Sequence, residues 1–197
     1  MSAKATVEIE GLAVMQQGRY HQTPKTQSKE SDDDYERRTW RDKAHKNEDG
    51  FVVIPPMAQK KCVEKAASML SMKIVGRGKS TYTKHFLSGI LVLEPAPINV
   101  RWDDMVGLWV FGDSKGERNK SGGKRVLKCF PTTPISDWRS TLIYYILDDT
   151  ITEEVFSIHI REAGNFVGLG VFRPESGGYY GRFKVLSIVW EVLEEMI

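Results

Sequence analysis

Lysine and arginine alternate with aromatic residues in several stretches of this chain, a mixture that suits single-stranded nucleic acid. Cations neutralise phosphates, and flat rings stack on unpaired bases. The first stretch is YERRTWRDKAHK at positions 35–46. Acidic residues lie within it, so an ordinary charged surface is the alternative interpretation. The candidate nucleic-acid-binding residues of this stretch are Arg37, Arg38, Trp40, Arg41, Lys43 and Lys46.

A second stretch, KIVGRGKSTYTKH at positions 73–85, contains no acidic residue. Gly76 and Gly78 would let backbone N–H groups approach a phosphate closely. The fragment GRGKS resembles part of a nucleotide-binding P-loop, but Lys73 occupies the position where that motif requires its first glycine. We therefore predict a loop that binds a nucleic-acid backbone and not a triphosphate. Its candidate residues are Arg77, Lys79, Lys84 and His85.

Two glycine-rich regions also carry cations. In the stretch 113–128 the chain is rich in glycine and serine, and a solvated hairpin tip is the alternative to a polyanion-binding segment. Its candidates are Lys120, Lys124 and Arg125. The second region precedes the last predicted strand, and there the tyrosines could equally pack against the sheet. Its candidates are Arg173, Tyr179, Tyr180 and Arg182.

Asp32, Asp33 and Asp34 are the residues most suited to catalysis, because closely set carboxylates can hold a divalent cation near a phosphodiester. The favoured alternative is a helix start, where carboxylates accept from free N–H groups. The histidines at positions 21, 45, 85 and 159 form no recognisable acid–base pair. No hydrolase, metalloprotease or dinucleotide motif is present. We expect no cofactor, no bound metal and, on balance, no catalysis.

Hydrophobic periodicity predicts the elements that must position these residues. Strands are expected at 5–14, 51–54, 85–94, 138–147 and 182–192, and a helix at 56–72. A second helix is expected to start from a capping box of Thr150 and Glu153, to run to Ala163 and to end at Gly164. A short hairpin is expected within 96–137. Without its insertions the order is βαββαβ, the split βαβ arrangement of ferredoxin-like and RRM-like domains. We therefore predict an α+β fold with an antiparallel sheet, both helices on one face and the other face open.

Length and composition constrain the class of protein. The 197 residues suit one domain, 1–197, with two long insertions at about 15–50 and 96–137. A formal net charge of +2 does not by itself indicate a polyanion partner. Cys62 and Cys129 lack the spacing of a disulfide scaffold or a zinc site. No signal peptide or membrane span is evident, so we expect a cytoplasmic protein with no membrane partner.

Two motifs, together with the order of elements, resemble the RAMP superfamily, the repeat-associated proteins that process or carry CRISPR guide RNA. The glycine-rich stretch GNFVGLGVFRPESGGYYGRF at 164–183 resembles the glycine-rich loop of that superfamily. The stretch IPPMAQKKCVEKAA at 54–67 is similar to the strand-to-helix entry of RAMP backbone subunits, with a basic helix that carries Lys60 and Lys61. The loop departs from the usual form at Pro174 and at the tyrosine pair.

The resemblance implies a non-catalytic protein that binds the backbone of single-stranded nucleic acid with little recognition of base sequence. RNA is favoured over DNA as the ligand. Its partners would be that strand and other copies of itself or RAMP-like subunits, arranged head to tail. One alternative is a RAMP-type endoribonuclease that uses the aspartate run or a histidine. The other is a viral or host protein-interaction module that docks on a nucleoprotein complex.

Overall fold

A ten-residue strand at the start of the chain forms the centre of the fold. The computed structural model describes residues 2–26, 29–113 and 125–194. The strands are β1 Ser2–Gly11, β2 Phe51–Ile54, β3 Ile90–Leu91, β4 Ala96–Arg101, β5 Val106–Asp113, β6 Arg125–Thr132, β7 Arg139–Ile146 and β8 Phe183–Leu193. The helices are α1 Asp32–Thr39, α2 Pro56–Leu70, α3 Thr83–Gly89 and α4 Glu153–Glu162. No helix in the described ranges is both long and apolar enough to cross a membrane.

The main sheet has the strand order β2-β4-β7-β1-β8, and the short β3 also pairs with β7. Every one of these pairings is antiparallel. β3 and β4 therefore act as two pieces of one strand beside β7. If they are counted together and the edge strand β2 is set aside, the order is that of a ferredoxin-like βαββαβ sheet. The predicted α+β fold is confirmed.

The two faces of the sheet differ because side chains alternate along each strand. In β1 the residues Ala3, Ala5, Val7 and Ile9 are buried against the helices. α2 and α4 cover this face, and the ring of Tyr144 in β7 meets that of Phe156 in α4 at 5.3 Å between centroids. The residues between them in β1 point to the opposite face, which no described helix covers.

The two edge strands of the main sheet differ in whether another segment of the chain pairs with their outer side. Residues 45–47 run along the outer edge of β2, where Val53 N donates to His45 O at 3.1 Å and Asn47 N donates to Phe51 O at 3.0 Å. β8, at the other edge, pairs only with β1 in the part of the chain that the structure describes. One edge is therefore covered and the other is open.

Two strand predictions were wrong around residue 90. His85–Gly89, predicted as part of a strand over 85–94, belongs to helix α3, because the buried residues Tyr82, Phe86 and Ile90 recur at the four-residue spacing of a helix. Ala96–Arg101, assigned to the second insertion, is a strand of the main sheet with alternating buried and exposed side chains. Its Pro97 lies beside an irregularity in the β2–β4 pairing, where a missing N–H is tolerated.

The ends of α4 also differ from prediction. Its N-cap is Thr152, whose hydroxyl accepts from Val155 N at 3.3 Å, and not Thr150. Gly164, expected to end the helix, continues it in the π-helical turn Ala163–Val167. A Cβ at Gly164 would lie 2.1 Å from the carbonyl oxygen of Phe183. The glycine therefore permits close packing of this turn against β8 and does not terminate the helix.

The glycine-rich loop at 168–181 packs tightly against the chain that follows β1. Val171 N donates to Gln16 O at 3.0 Å, and Gly181 N donates to Val14 O at 2.9 Å. Gly170 has a φ of +82°, and a Cβ there would lie 2.0 Å from Gln16 O. These glycines serve backbone packing, so the loop is a fixed part of the fold.

We expect the substitution Gly170→Ala to lower the free energy of unfolding by more than about 2 kcal/mol, because it adds a steric clash to an unfavourable positive φ. The matched control is Gly177→Ala, where φ is +79° but nothing lies within 4 Å of the added Cβ. That control should cost about 1 kcal/mol. Urea unfolding of both variants checks this, and equal losses would contradict the packing role.

Candidate nucleic-acid interface

Helix α1 takes the place of a partner strand along the outer edge of β6. The Glu36 carboxylate accepts from Cys129 N at 2.6 Å, and the Asp33 carboxylate accepts from Leu127 N at 3.3 Å. These two acids are three residues apart, so they share a helix face, and the two N–H groups alternate along β6. Side-chain carboxylates thereby satisfy strand donors that would otherwise remain free.

Lys43 completes this junction between α1 and the β5–β6 hairpin. Its ammonium group donates to Cys129 O at 3.1 Å and forms an ion pair with Glu36. Both side chains are largely buried, with 17% and 12% exposed. At the base of the hairpin, Gln17 N donates to Pro131 O at 2.9 Å and Thr133 N donates to Met15 O at 2.9 Å. The 15–50 segment and the hairpin are thus one packed unit.

Seven cations lie over aromatic rings within the described residues, and four of them form one connected row on this unit and the adjoining ends of β2 and β4. The distances from the cation to the ring centroid are 5.6 Å for Arg37 on Trp109, 4.4 Å for Arg41 on Trp40, 4.0 Å for Lys46 on Trp102 and 5.2 Å for Arg101 on Phe51. We call these eight residues the basic–aromatic strip. Cation–π contacts of this kind hold each charge in place while leaving its outer side available to an anion.

The strip is continuous. The rings of Trp40 and Trp109 meet edge to face at 6.4 Å, and Trp102 Nε1 donates to Arg41 O at 3.0 Å. Arg101 precedes Trp102 in the chain and pairs with Phe51 across β4 and β2. The strip therefore runs from the hairpin to the edge of the main sheet.

The cations of the strip are free of acidic partners within the described ranges, where no carboxylate lies within 4.0 Å of Arg37, Arg41, Lys46 or Arg101. The Nε of Arg41 is buried and has no hydrogen-bond partner among the same residues. Uncompensated cations beside flat rings are the chemistry that single-stranded nucleic acid requires.

Two residues predicted in this cluster have structural roles instead. Arg38 makes two hydrogen bonds to the Glu30 carboxylate, at 2.8 and 2.9 Å, and a third to Pro24 O at 3.0 Å. The hydrogen bonds from Arg38 lower the pKa of Glu30 to about 2. Lys43 forms its ion pair with Glu36, inside the junction. Of the six predicted residues, Arg37, Trp40, Arg41 and Lys46 belong to the strip.

The second predicted cluster lies at the opposite end of the molecule. α2 starts beside β2, next to the strip, and its 15 residues run about 22 Å before the loop at 73–81 begins. Arg77, Lys79 and Lys84 are exposed there. His85 Nδ1 lies 2.6 Å from the Asp148 carboxylate, so this histidine is paired. The structure separates this cluster from the strip.

Other predicted binding residues are paired within the fold. Lys60 Nζ donates to the carbonyl oxygens of Leu87 and Ile90 at the end of α3, and Lys61 pairs with Glu64 at 2.9 Å. Arg173 binds the Glu175 carboxylate and Gly170 O, and so holds the glycine-rich loop. Tyr179 is exposed and lies against Tyr180, and the Arg182 side chain is exposed.

Of the three candidates in the hairpin region, the structure describes one. Lys120 and Lys124 lie outside the described residues, and Arg125 begins β6. The hairpin itself is confirmed, since β5 and β6 pair from Val106 with Thr132 to Asp113 with Arg125.

The aspartate run forms the first turn of α1. Ser31 is the N-cap residue, and its hydroxyl accepts from Asp34 N at 3.1 Å. Lys25 pairs with Asp32 at 2.9 Å, and Asp33 binds the edge of β6. Among the described residues, no group of three or more His, Cys, Asp or Glu side chains could hold a metal ion. The helix-start interpretation of the run is confirmed.

The histidines are dispersed and engaged. His159 is buried, its Nδ1 contacts Val155 O at 2.6 Å, and burial lowers the pKa of its ring. His45 is half-buried, and burial together with the nearby Arg19 lowers its pKa. His21 lies 3.1 Å from Thr23 and stacks on Tyr35.

Sequence reasoning missed half of the strip. Phe51, Arg101, Trp102 and Trp109 were not among the candidates. The adjacent pair Arg101–Trp102 repeats the cation-next-to-aromatic pattern of positions 40–41, which is the signal that could have identified it. Nothing in the sequence shows that Trp109 of the hairpin meets Arg37 of α1.

Comparisons with known proteins identify the fold. No family model and no curated protein sequence matches the chain. Among solved structures, it aligns with a chain of the type III-B Cmr-beta complex bound to cognate target RNA, at a TM-score of 0.55 and 12% identity. The alignment covers 96% of this chain and 61% of that one, so the chain spans less than two thirds of its length. This chain therefore shares the fold of the aligned part of that chain.

Two further chains align with this chain at lower scores. One is Cmr6 from Pyrococcus furiosus, at a TM-score of 0.49 and 14% identity over 94% of this chain and 98% of that one. The other belongs to a CRISPR RNA-guided surveillance complex, at 0.40 and 9% identity over 100% of this chain and 72% of that one.

We expect the substitution Glu36→Ala to lower the free energy of unfolding by about 2–3 kcal/mol, because it leaves the Cys129 N–H without its acceptor and the largely buried Lys43 without its carboxylate partner. Tryptophan fluorescence should change as well, since Trp40 and Trp109 face each other across this junction. The control is Glu48→Ala in an exposed loop, with an effect within about 0.5 kcal/mol. Urea unfolding measures both, and a neutral Glu36 variant would refute the strand-edge role.

Proposed function

We propose that this protein is a non-catalytic, RNA-binding subunit of a CRISPR-type ribonucleoprotein, and that the basic–aromatic strip holds the backbone and bases of a single strand. The observation that carries the proposal is the row of four ring-stacked cations without acidic partners. Each cation can neutralise a phosphate, and the rings beside them can stack on bases. The RAMP-like fold supports the choice of RNA and of a multi-subunit assembly.

Binding would show little sequence preference along the strip. Guanidinium and ammonium groups on aromatic faces recognise phosphates and the faces of bases, which are common to all nucleotides. The single domain would present its two insertions, the 15–50 segment and the hairpin, to the strand. Further copies or other RAMP-like subunits would bind head to tail along the same strand in the cytoplasm.

The proposal predicts that removing three charges from the strip weakens RNA binding and its salt dependence. In the variant Arg37→Gln/Arg41→Gln/Lys46→Gln, the slope of log K against log salt should become shallower by about 2, since each single-strand phosphate contact contributes about 0.7. Affinity near 0.1 M salt should fall on the order of 100-fold. Fluorescence anisotropy with a labelled single-stranded RNA across a salt series measures both quantities.

A matched control removes the same charge from the other end of the molecule. The variant Arg77→Gln/Lys79→Gln/Lys84→Gln should retain most of the affinity and the slope of the parent protein. Circular dichroism should show both variants folded. Equal losses in the two variants would indicate nonspecific attraction to net charge, and a parent protein that binds no RNA at low salt would overturn the proposal.

A further inference from the structure

The open face of the main sheet contains a basin of about 470 Å³ next to the strip. Polar residues on its floor come from neighbouring strands, with Glu8 from β1, Thr141 from β7 and Asn99 from β4. Apolar side chains of Phe51 and Leu186 form parts of its wall. A concave site with a few polar groups on an otherwise apolar lining is typical of small-ligand binding.

Glu8 and Thr141 lie directly opposite each other in the pairing of β1 with β7. Directly opposite residues have Cβ atoms about 5 Å apart, so a carboxylate and a hydroxyl stand side by side on the floor. The Glu8 carboxylate accepts one hydrogen bond, from the Ser187 hydroxyl at 2.9 Å. A carboxylate has about four acceptor positions, so most of its capacity is not used by the described residues.

Arg139 lines the basin, and Lys184 lies beside it on β8, two residues before the lining residue Leu186. Arg139 and Lys184 both bind the Glu10 carboxylate, each at 2.6 Å, and these hydrogen bonds, from Lys184 first, lower the pKa of Glu10. Two cations therefore face one carboxylate, and their side chains remain 65% and 49% exposed. Counting Glu8 on the floor, the two cations face two carboxylates, so a phosphate would bind here through the remaining N–H donors of Arg139 and Lys184 and not through an excess of positive charge.

The basin adjoins the strip through Phe51. This ring lines the basin and also carries the Arg101 guanidinium of the strip. A strand lying along the strip would bring its next nucleotide over the open face of the sheet.

We propose that this basin is a guanine-selective nucleotide site, which reads one base of the strand that the strip holds. An ionised carboxylate only accepts, and its two oxygens match two parallel donors. Guanine presents such a pair, N1–H and N2–H, with the acceptor O6 beside them. Glu8 accepts from the pair and the Thr141 hydroxyl donates to O6, while the phosphate binds at Arg139 and Lys184.

The other bases match this arrangement less well. Adenine places the acceptor N1 against the carboxylate, which repels it. Cytosine and uracil each offer a single donor next to acceptors. Hypoxanthine keeps N1–H and O6 but lacks the N2 amino group. A comparison of guanine with hypoxanthine therefore measures how much the N2–H donor contributes to binding.

The inference rests on the proposed function in assuming that the strip holds a strand. The test with single nucleotides does not depend on that assumption. GMP, IMP and AMP are titrated into the full chain, and the amide NMR signals of the residues around Glu8 and Thr141 are followed. GMP should bind about 5- to 10-fold more tightly than IMP, the factor expected for one hydrogen bond to a charged group at an exposed site. AMP should bind more weakly than IMP.

Substitutions in the basin give the second arm. Glu8→Gln removes the carboxylate charge at nearly constant side-chain shape and should weaken GMP binding about 10-fold. The ratio of the GMP affinity to the AMP affinity should therefore fall. Thr141→Val keeps the branched shape and should weaken GMP and IMP but leave AMP unchanged. The control is Glu191→Gln, which also removes one carboxylate from the open face of the sheet. Glu191 lies in β8, outside the basin, and pairs with Lys4.

The outcomes separate the two proposals. Equal affinities for the three nucleotides, or a Glu8→Gln variant that keeps the preference for GMP, would overturn the guanine site even if RNA binds the strip. Conversely, a preference for GMP with no RNA binding would retain the site and reject the proposed function. If both proposals are correct, placing a single guanosine in an oligouridine strand raises the affinity of that strand for the parent protein but not for the Glu8→Gln variant.

Discussion

The Glu36–Lys43 ion pair, with its two hydrogen bonds to Cys129, is the contact on which the candidate interface depends. It ties α1 to β6, and through β6 it fixes β5, which carries Trp109. Arg37 lies one residue from Glu36 and meets the Trp109 ring, so its position follows from this junction. A half-buried ion pair satisfied on both sides by backbone groups constrains geometry more than an exposed pair can. Residues that are about 70 positions apart in the chain thereby form one surface.

Charge distribution, and not total charge, separates the surfaces of this molecule. The chain has 28 basic and 26 acidic residues, close to balance. Within the described ranges several cations are paired inside the fold, for example Arg38 with Glu30, Lys60 with helix-end carbonyls and Arg173 with Glu175. The strip differs because aromatic faces, which carry no formal charge, hold its cations. An anion that binds there displaces no carboxylate.

Sequence patterns predicted the fold better than the interface. Strands with strict alternation, such as β1 and β7, and the amphipathic α2 were found because local periodicity records which face is buried. The region of α3 was misjudged because the short apolar run HFLSGI fits both periods. For the interface, Trp40 and Arg41 are neighbours in the chain and were found. Trp109 and Arg101 were missed, since their meeting with α1 and β2 depends on tertiary pairing that no local pattern contains.

The unequal edges of the main sheet limit how copies of this chain can join through their backbones. The outer side of β2 is already bonded to residues 45–47, whereas β8 presents its outer side freely within the described ranges. A sheet that can be extended on one side only cannot propagate as a ribbon, because each pairing consumes the only available side of both partners. Two copies that met through β8 would close a two-fold dimer with no side left for a third. Growth into a cross-β stack is therefore blocked at β2, by three residues of an otherwise polar segment.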